Sequence, residues 1–91
     1  MNRIIINKEL VSQTMGKKII IFDGEKSLLF TLNGTGAVIF NKLQKGLNTQ
    51  EIKSYLQKKY GLTKVQAKRD VDNFISVLLK KKIIKISNTS W

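Results

Sequence analysis

The sequence predicts a small α+β domain: a three-stranded antiparallel meander followed by three helices. Three observations carry that prediction. Residues 10 to 32 hold runs rich in β-branched and apolar residues, broken at Gly16 and at Asp23-Gly24. Asn48-x-x-Glu51 and Thr63-x-x-Gln66 are capping-box patterns, each opening a helix. Ala67, Val71, Phe74, Ile75, Leu78 and Leu79 recur at helical spacing.

The strands come first. Residues 10 to 15 and 17 to 23 are two strands joined tightly at Gly16, the second being Lys17-Lys18-Ile19-Ile20-Ile21-Phe22-Asp23. Asp23-Gly24 is expected to supply the left-handed backbone of a hairpin turn, and Ser27 to Leu32 the return strand, with Leu28, Phe30 and Leu32 on one face. The run Ile4-Ile5-Ile6 is a further, weaker candidate for strand, and Ile83-Ile84-Lys85-Ile86 reads as a short extended tail.

The helices follow. Asn33 is placed to cap the first, which carries Ala37, Val38, Phe40 and Leu43 and stops at Gly46. Gly34 and Gly36 in its first turn are poor helix formers, so a close backbone approach is expected there. The second helix opens at Asn48 to Glu51, carries Ile52, Tyr55, Leu56 and Tyr60, and closes at Tyr60-Gly61. The third starts at Thr63 and runs to about Lys81. Strands followed by helices around one core give a winged helix-turn-helix-like architecture.

Ninety-one residues with 42% hydrophobic content suit one domain over residues 1–91, its core at about 10–86. No apolar run approaches the ~20 residues of a membrane span and the start is too short for a signal peptide, so the expected location is cytoplasmic. With no cysteine and no histidine the chain lacks a thiolate nucleophile, an imidazole base and an ordinary zinc site, and no cofactor is expected. The carboxylates are scattered, and the neighbours Asp70 and Asp72 point about 160° apart on a helix, which forms no acid/base dyad. Residues 1 to 40 hold five basic and three acidic side chains and residues 41 to 91 twelve and three, so the C-terminal half is the electropositive one and favours anionic partners.

Leu32, Asn33, Thr35 and Gly36 after the last strand of the meander, the helix of Ala37, Ile39, Phe40, Leu43 and Gly46, then Glu51-Ile52 with Leu56 and Tyr60, and finally Asp70, Val71, Phe74, Ile75 and Leu78 form an ordered set of motifs. In that order and spacing the chain resembles the PqqD-like proteins, the peptide chaperones of pyrroloquinoline-quinone biosynthesis, over roughly residues 15 to 86. Their fold is shared by the recognition domains of enzymes that modify ribosomally made peptides. The chain departs from the family pattern in its high positive charge and in Lys80-Lys81-Lys82, where glycine usually follows the third helix.

The resemblance implies a non-catalytic adaptor that binds the leader segment of a ribosomally synthesised precursor peptide. The leader would add as a strand to the edge of the meander's last strand and be presented to a modifying enzyme, such as a radical-SAM enzyme, or to a leader peptidase. The implied site is Ser27, Leu28, Leu29, Phe30 and Thr31 on the strand. Lys68, Asp72, Ile75 and Leu79 share one shoulder of the third helix as its wall, and the opposite shoulder with Asp70 and Lys81 stays open as the alternative. A monomer or weak homodimer, pairing through the same edge, is expected. Trp91, at the chain end, is assigned no role. The competing reading is a DNA-binding winged-helix regulator with Lys64, Lys68, Arg69 and Lys80 to Lys82 on phosphates. Against it, the third helix offers few base-reading side chains near its start, and nucleic acid is the less favoured partner.

Overall fold

The computed structural model describes residues 3–86; Met1, Asn2 and Trp91 lie outside the described residues. The element order is β1 (Ile4–Ile6), β2 (Leu10–Met15), β3 (Lys18–Asp23), β4 (Leu28–Leu32), α1 (Gly34–Gln44), α2 (Thr49–Tyr60), α3 (Lys64–Lys80) and β5 (Ile84–Ile86). The expected meander is present as an antiparallel sheet in the order β2-β3-β4, followed by the three expected helices. Among the described residues no helix is long and apolar enough to cross a membrane.

Register sets which side chains reach the core. Ile19 pairs with Leu32 and Ile21 with Phe30, so these four share one face, on which Ile19 and Ile21 are buried and Phe30 and Leu32 half-buried. Ala37, Ile39, Phe40 and Leu43 of α1, Ile52 and Leu56 of α2, and Ala67, Val71 and Leu78 of α3 complete one core with Ile83 and Ile84. Leu28, expected on the core face, is 46% exposed because it sits at the hairpin end, beyond the helices.

Two turns differ in how they are made. Gly16 takes a positive φ of 62° in the two-residue link between β2 and β3, where Met15 pairs with Lys18. At the second hairpin the left-handed residue is Ser27, at φ 53°, and not Gly24. The reason is the buried Asp23, whose Oδ1 accepts hydrogen bonds from the backbone N–H groups of Glu25 and Lys26 at 3.1 and 3.3 Å. That Asx turn moves the reversal to the far end of a four-residue loop.

Both capping boxes form, with Asn48 Oδ1 accepting from the Glu51 N–H at 2.8 Å and Thr63 Oγ1 accepting from the Gln66 N–H at 3.1 Å. Asn33 occupies the N-cap of α1 but makes no side-chain cap hydrogen bond, because Gly34 at φ 56° swings the chain into the helix. Gly46 ends α1 in the left-handed conformation, as expected, with the Leu47 N–H bonded to the Lys42 carbonyl at 3.1 Å.

The apolar runs at the two ends find each other. Ile4, Ile5 and Ile6 pair antiparallel with Ile86, Lys85 and Ile84, and the Asn7 N–H continues the contact to the Ile83 carbonyl at 2.9 Å. Three residues cannot hold a strand alone, so this second sheet depends on closing nearly the whole chain on itself.

Candidate functional site

β4 pairs with β3 on one side, and no other described strand covers its second edge. Its residues, Leu28 to Leu32, carry neither a charge nor a proline, the usual protections of an exposed edge. Leu29, 64% exposed, and Thr31 face away from the core, opposite Phe22 and Ile20. Ser27 stands just outside the strand in the turn, so of the five strand positions inferred from sequence four lie in β4.

Two contacts bring this region to α3. Lys81, at the C-cap of α3, places its ammonium 5.1 Å from the centroid of the Phe30 ring. At the other end, the first turn of α1 lies against Phe74: a β-carbon on Gly36 would sit 2.7 Å from Phe74 Cε1. At that second contact is an open concavity of about 380 Å³ lined by Thr35, Gly36, Ile39, Asp70, Asn73, Phe74 and Val77. Thr35 and Gly36 belong to the first turn of α1, which Asn33 joins to the end of β4.

The helical wheel divides the candidates cleanly. With Val71 at zero, Phe74, Lys81, Asp70 and Val77 fall at about −60°, −80°, −100° and −120°, using 100° per residue. Lys68, Asp72, Ile75 and Leu79 fall between about +40° and +100°, on the other shoulder. Asp72 there meets Lys53 of α2 at 3.3 Å and Lys68 at 2.7 Å. The hydrogen bond from Lys68, and secondarily Lys53, lowers the Asp72 pKa from its ordinary value of 3.8, with burial opposing. Ile75 packs on the core, and Leu79 lines a separate hollow with Ile5, Ile6 and Ile84. Phe30 of β4 thus meets Lys81 and Phe74 meets Gly36, while Asp72 is engaged by Lys68 and by Lys53, and Leu79 lines the separate hollow. The signals present in the sequence were Gly36, unfavourable in a first helical turn, and Phe74 on the same stripe as Val71.

Asp23 holds a turn, Glu51 caps α2 by accepting from the Asn48 N–H at 2.9 Å, and Asp72 is ion-paired. Among the described residues no three acidic, cysteine or histidine side chains cluster as metal ligands.

Comparison with known proteins adds to this geometry. A search of the curated proteins returns no match. Among solved structures, "TbiB1 in Complex with the TbiA(beta) Leader Peptide" is 21% identical with a TM-score of 0.84, over 88% of this chain and 93% of that one. "Lasso peptide synthetase B1 complexed with the leader peptide" is 19% identical, also with a TM-score of 0.84, over 91% and 98%. Likeness at that identity establishes the fold. The sequence profile of coenzyme PQQ synthesis protein D matches residues 18–84, from the first residue of β3 to the first of β5, and with that match over most of its length the chain belongs to the PqqD family.

Proposed function

We propose that this protein is a non-catalytic recognition element: it binds the leader segment of a ribosomally made precursor peptide as a strand added to β4 and presents it to a modifying enzyme or leader peptidase. The observation that carries the reading is the uncharged free edge of β4, together with the concavity lined by Gly36 and Phe74. Strand addition draws affinity and register from backbone hydrogen bonds, and side-chain preference from pockets beside the edge. The concavity supplies such a pocket, with Phe74 and Val77 as its apolar part and Asp70 and Asn73 as its polar part. Both solved structures of the same fold hold a leader peptide, which supports carrying that partner over to a member of this family. On this reading the wall is the Asp70, Phe74, Val77 and Lys81 shoulder, with Ser27 acting only through the turn. The place of action is the cytoplasm, where precursor peptides are made.

The test is affinity capture from nuclease-treated native lysate at physiological salt, with mass spectrometry of the retained material. Wild-type protein is compared with Leu29→Pro and Phe30→Pro. Successive residues of an antiparallel strand turn their N–H groups to opposite edges, so one proline breaks the ladder to β3 and the other removes only a donor on the free edge. Circular dichroism identifies the variant that stays folded. The proposal expects a short peptide on the wild type and its loss from that folded variant; retention there would overturn strand addition.

A further inference from the structure

The surface formed by the end of α1 and by α2 is charged in a way that leader binding does not use. It carries Lys42, Lys45, Lys58 and Lys59, with Glu51 as its carboxylate, and Glu51 is committed to the cap of α2. The neighbouring Lys53 is neutralised by Asp72, whereas no ion pair reaches those four lysines among the described residues. Two of the four are held together. Lys42 of α1 lies 4.1 Å and Lys59 of α2 5.7 Å from the centroid of the Tyr55 ring. Hydrogen bonding to Lys59 is the main cause lowering the Tyr55 pKa, and the same interaction raises that of Lys59.

Like charges gathered round one ring with no carboxylate between them repel, and a negative partner relieves that repulsion. The ring narrows the class of partner. A nucleobase needs an open aromatic face on which to stack, and Lys42 already covers Tyr55 at cation–π distance. A side-chain carboxylate needs no ring face and can pair with either ammonium group. The location also fits a second partner, since Lys42 lies about 9 Å along α1 from Gly36, which borders the leader concavity.

We propose that the Lys42–Tyr55–Lys59 cluster is a docking surface for an acidic protein segment, distinct from the β4 edge and able to be occupied together with it. This inference does not require the leader reading: it follows from the charge and geometry of α1 and α2.

An octaglutamate peptide is a suitable probe, titrated into the full chain at 50 mM salt and followed by amide chemical shifts. The expected result is saturable binding with the largest shifts at Lys42, Tyr55 and Lys59, weakened at least tenfold in Lys42→Glu/Lys59→Glu. The charge-matched control Lys8→Glu/Lys64→Glu should change affinity less than twofold. Lys42→Gln/Lys59→Gln serves if charge reversal disturbs folding. Equal losses in the two double variants would reduce the effect to net charge and overturn the proposal. So would tighter, cluster-dependent binding of a DNA duplex of equal charge, which would make the surface a nucleic-acid site.

Discussion

Gly36 and Phe74 are in contact so close that the structure leaves no room for a methyl group: an added β-carbon would lie 2.7 Å from Cε1 and 3.1 Å from Cζ of the ring. Phe74 is the neighbour that must give way, being a half-buried ring at the border of the concavity. Gly36→Ala should therefore alter binding as well as stability. The alanine gains up to about 1 kcal/mol of helix propensity, against about 1–3 kcal/mol of overpacking, so the net effect runs from about zero to a loss of about 2 kcal/mol. Peptide affinity, measured by calorimetry with the captured leader, should fall, and Phe74→Leu in the same chain should restore part of it. Unchanged affinity in Gly36→Ala would mean that the ring's position is irrelevant to the leader.

The two shoulders of α3 make opposite predictions. Val77→Glu places a charge beside Phe74 and should weaken leader binding by about tenfold or more, roughly the cost of one badly desolvated contact. Lys68→Glu, on the shoulder that faces α2, should leave leader affinity within about twofold, since rim charges contribute little. The reverse pattern in a binding titration would put the wall on the Lys68 side.

Gly46 and Lys82 occupy the same position in two helix ends of one type. The Gly46 N–H bonds the Leu43 carbonyl and the Leu47 N–H the Lys42 carbonyl; likewise the Lys82 N–H bonds the Leu79 carbonyl and the Ile83 N–H the Leu78 carbonyl. Gly46 has φ 88° and Lys82 φ 61°, so a lysine stands where glycine is at ease. Lys82→Gly should stabilise the fold by about 0.5–1 kcal/mol, a shift of a few degrees in Tm, and Gly46→Ala should destabilise it by about 1 kcal/mol. Urea unfolding checks both. The Asn7 side chain donates to the Lys82 carbonyl at 3.3 Å, a backbone contact that the glycine variant keeps.

Asp72 gives a pH signature. Its folded pKa is lowered, chiefly by the hydrogen bond from Lys68, so it stabilises the fold above the ordinary value of 3.8 and that contribution is lost as pH falls through the lower folded value. Asp72→Asn should be less stable than wild type at pH 7, and the difference should shrink below about pH 3.8, where the unfolded carboxyl is itself protonated. The effect is modest because the carboxylate is 45% exposed. A gap of constant size from pH 7 to pH 2.5 would show that packing, and not charge, separates the two proteins.

What the sequence determined by itself was local. The capping boxes at Asn48 and Thr63, the stop at Gly46, the β-branched run of β3 and the stripe of α3 each depend on residues within about one turn or one strand of each other. The close approach at Gly36 was also legible, because a glycine in a first helical turn needs a reason outside propensity. Other features were decided only by the tertiary structure. The pairing of Ile4–Ile6 with Ile84–Ile86 joins segments with no local signal for each other. The hairpin reversal fell to Ser27 and not Gly24 because burial of Asp23 fixed the loop. The proposed wall of the site rests on the same kind of information: a helical wheel shows two shoulders of α3 but not what each one meets. Packing α3 on α2 brought Lys53 to Asp72, which also holds Lys68, while the approach of α1 gave Phe74 to Gly36 beside a concavity between the two helices. Helix periodicity is a property of a segment, whereas the identity of its neighbour depends on how the whole chain closes its core.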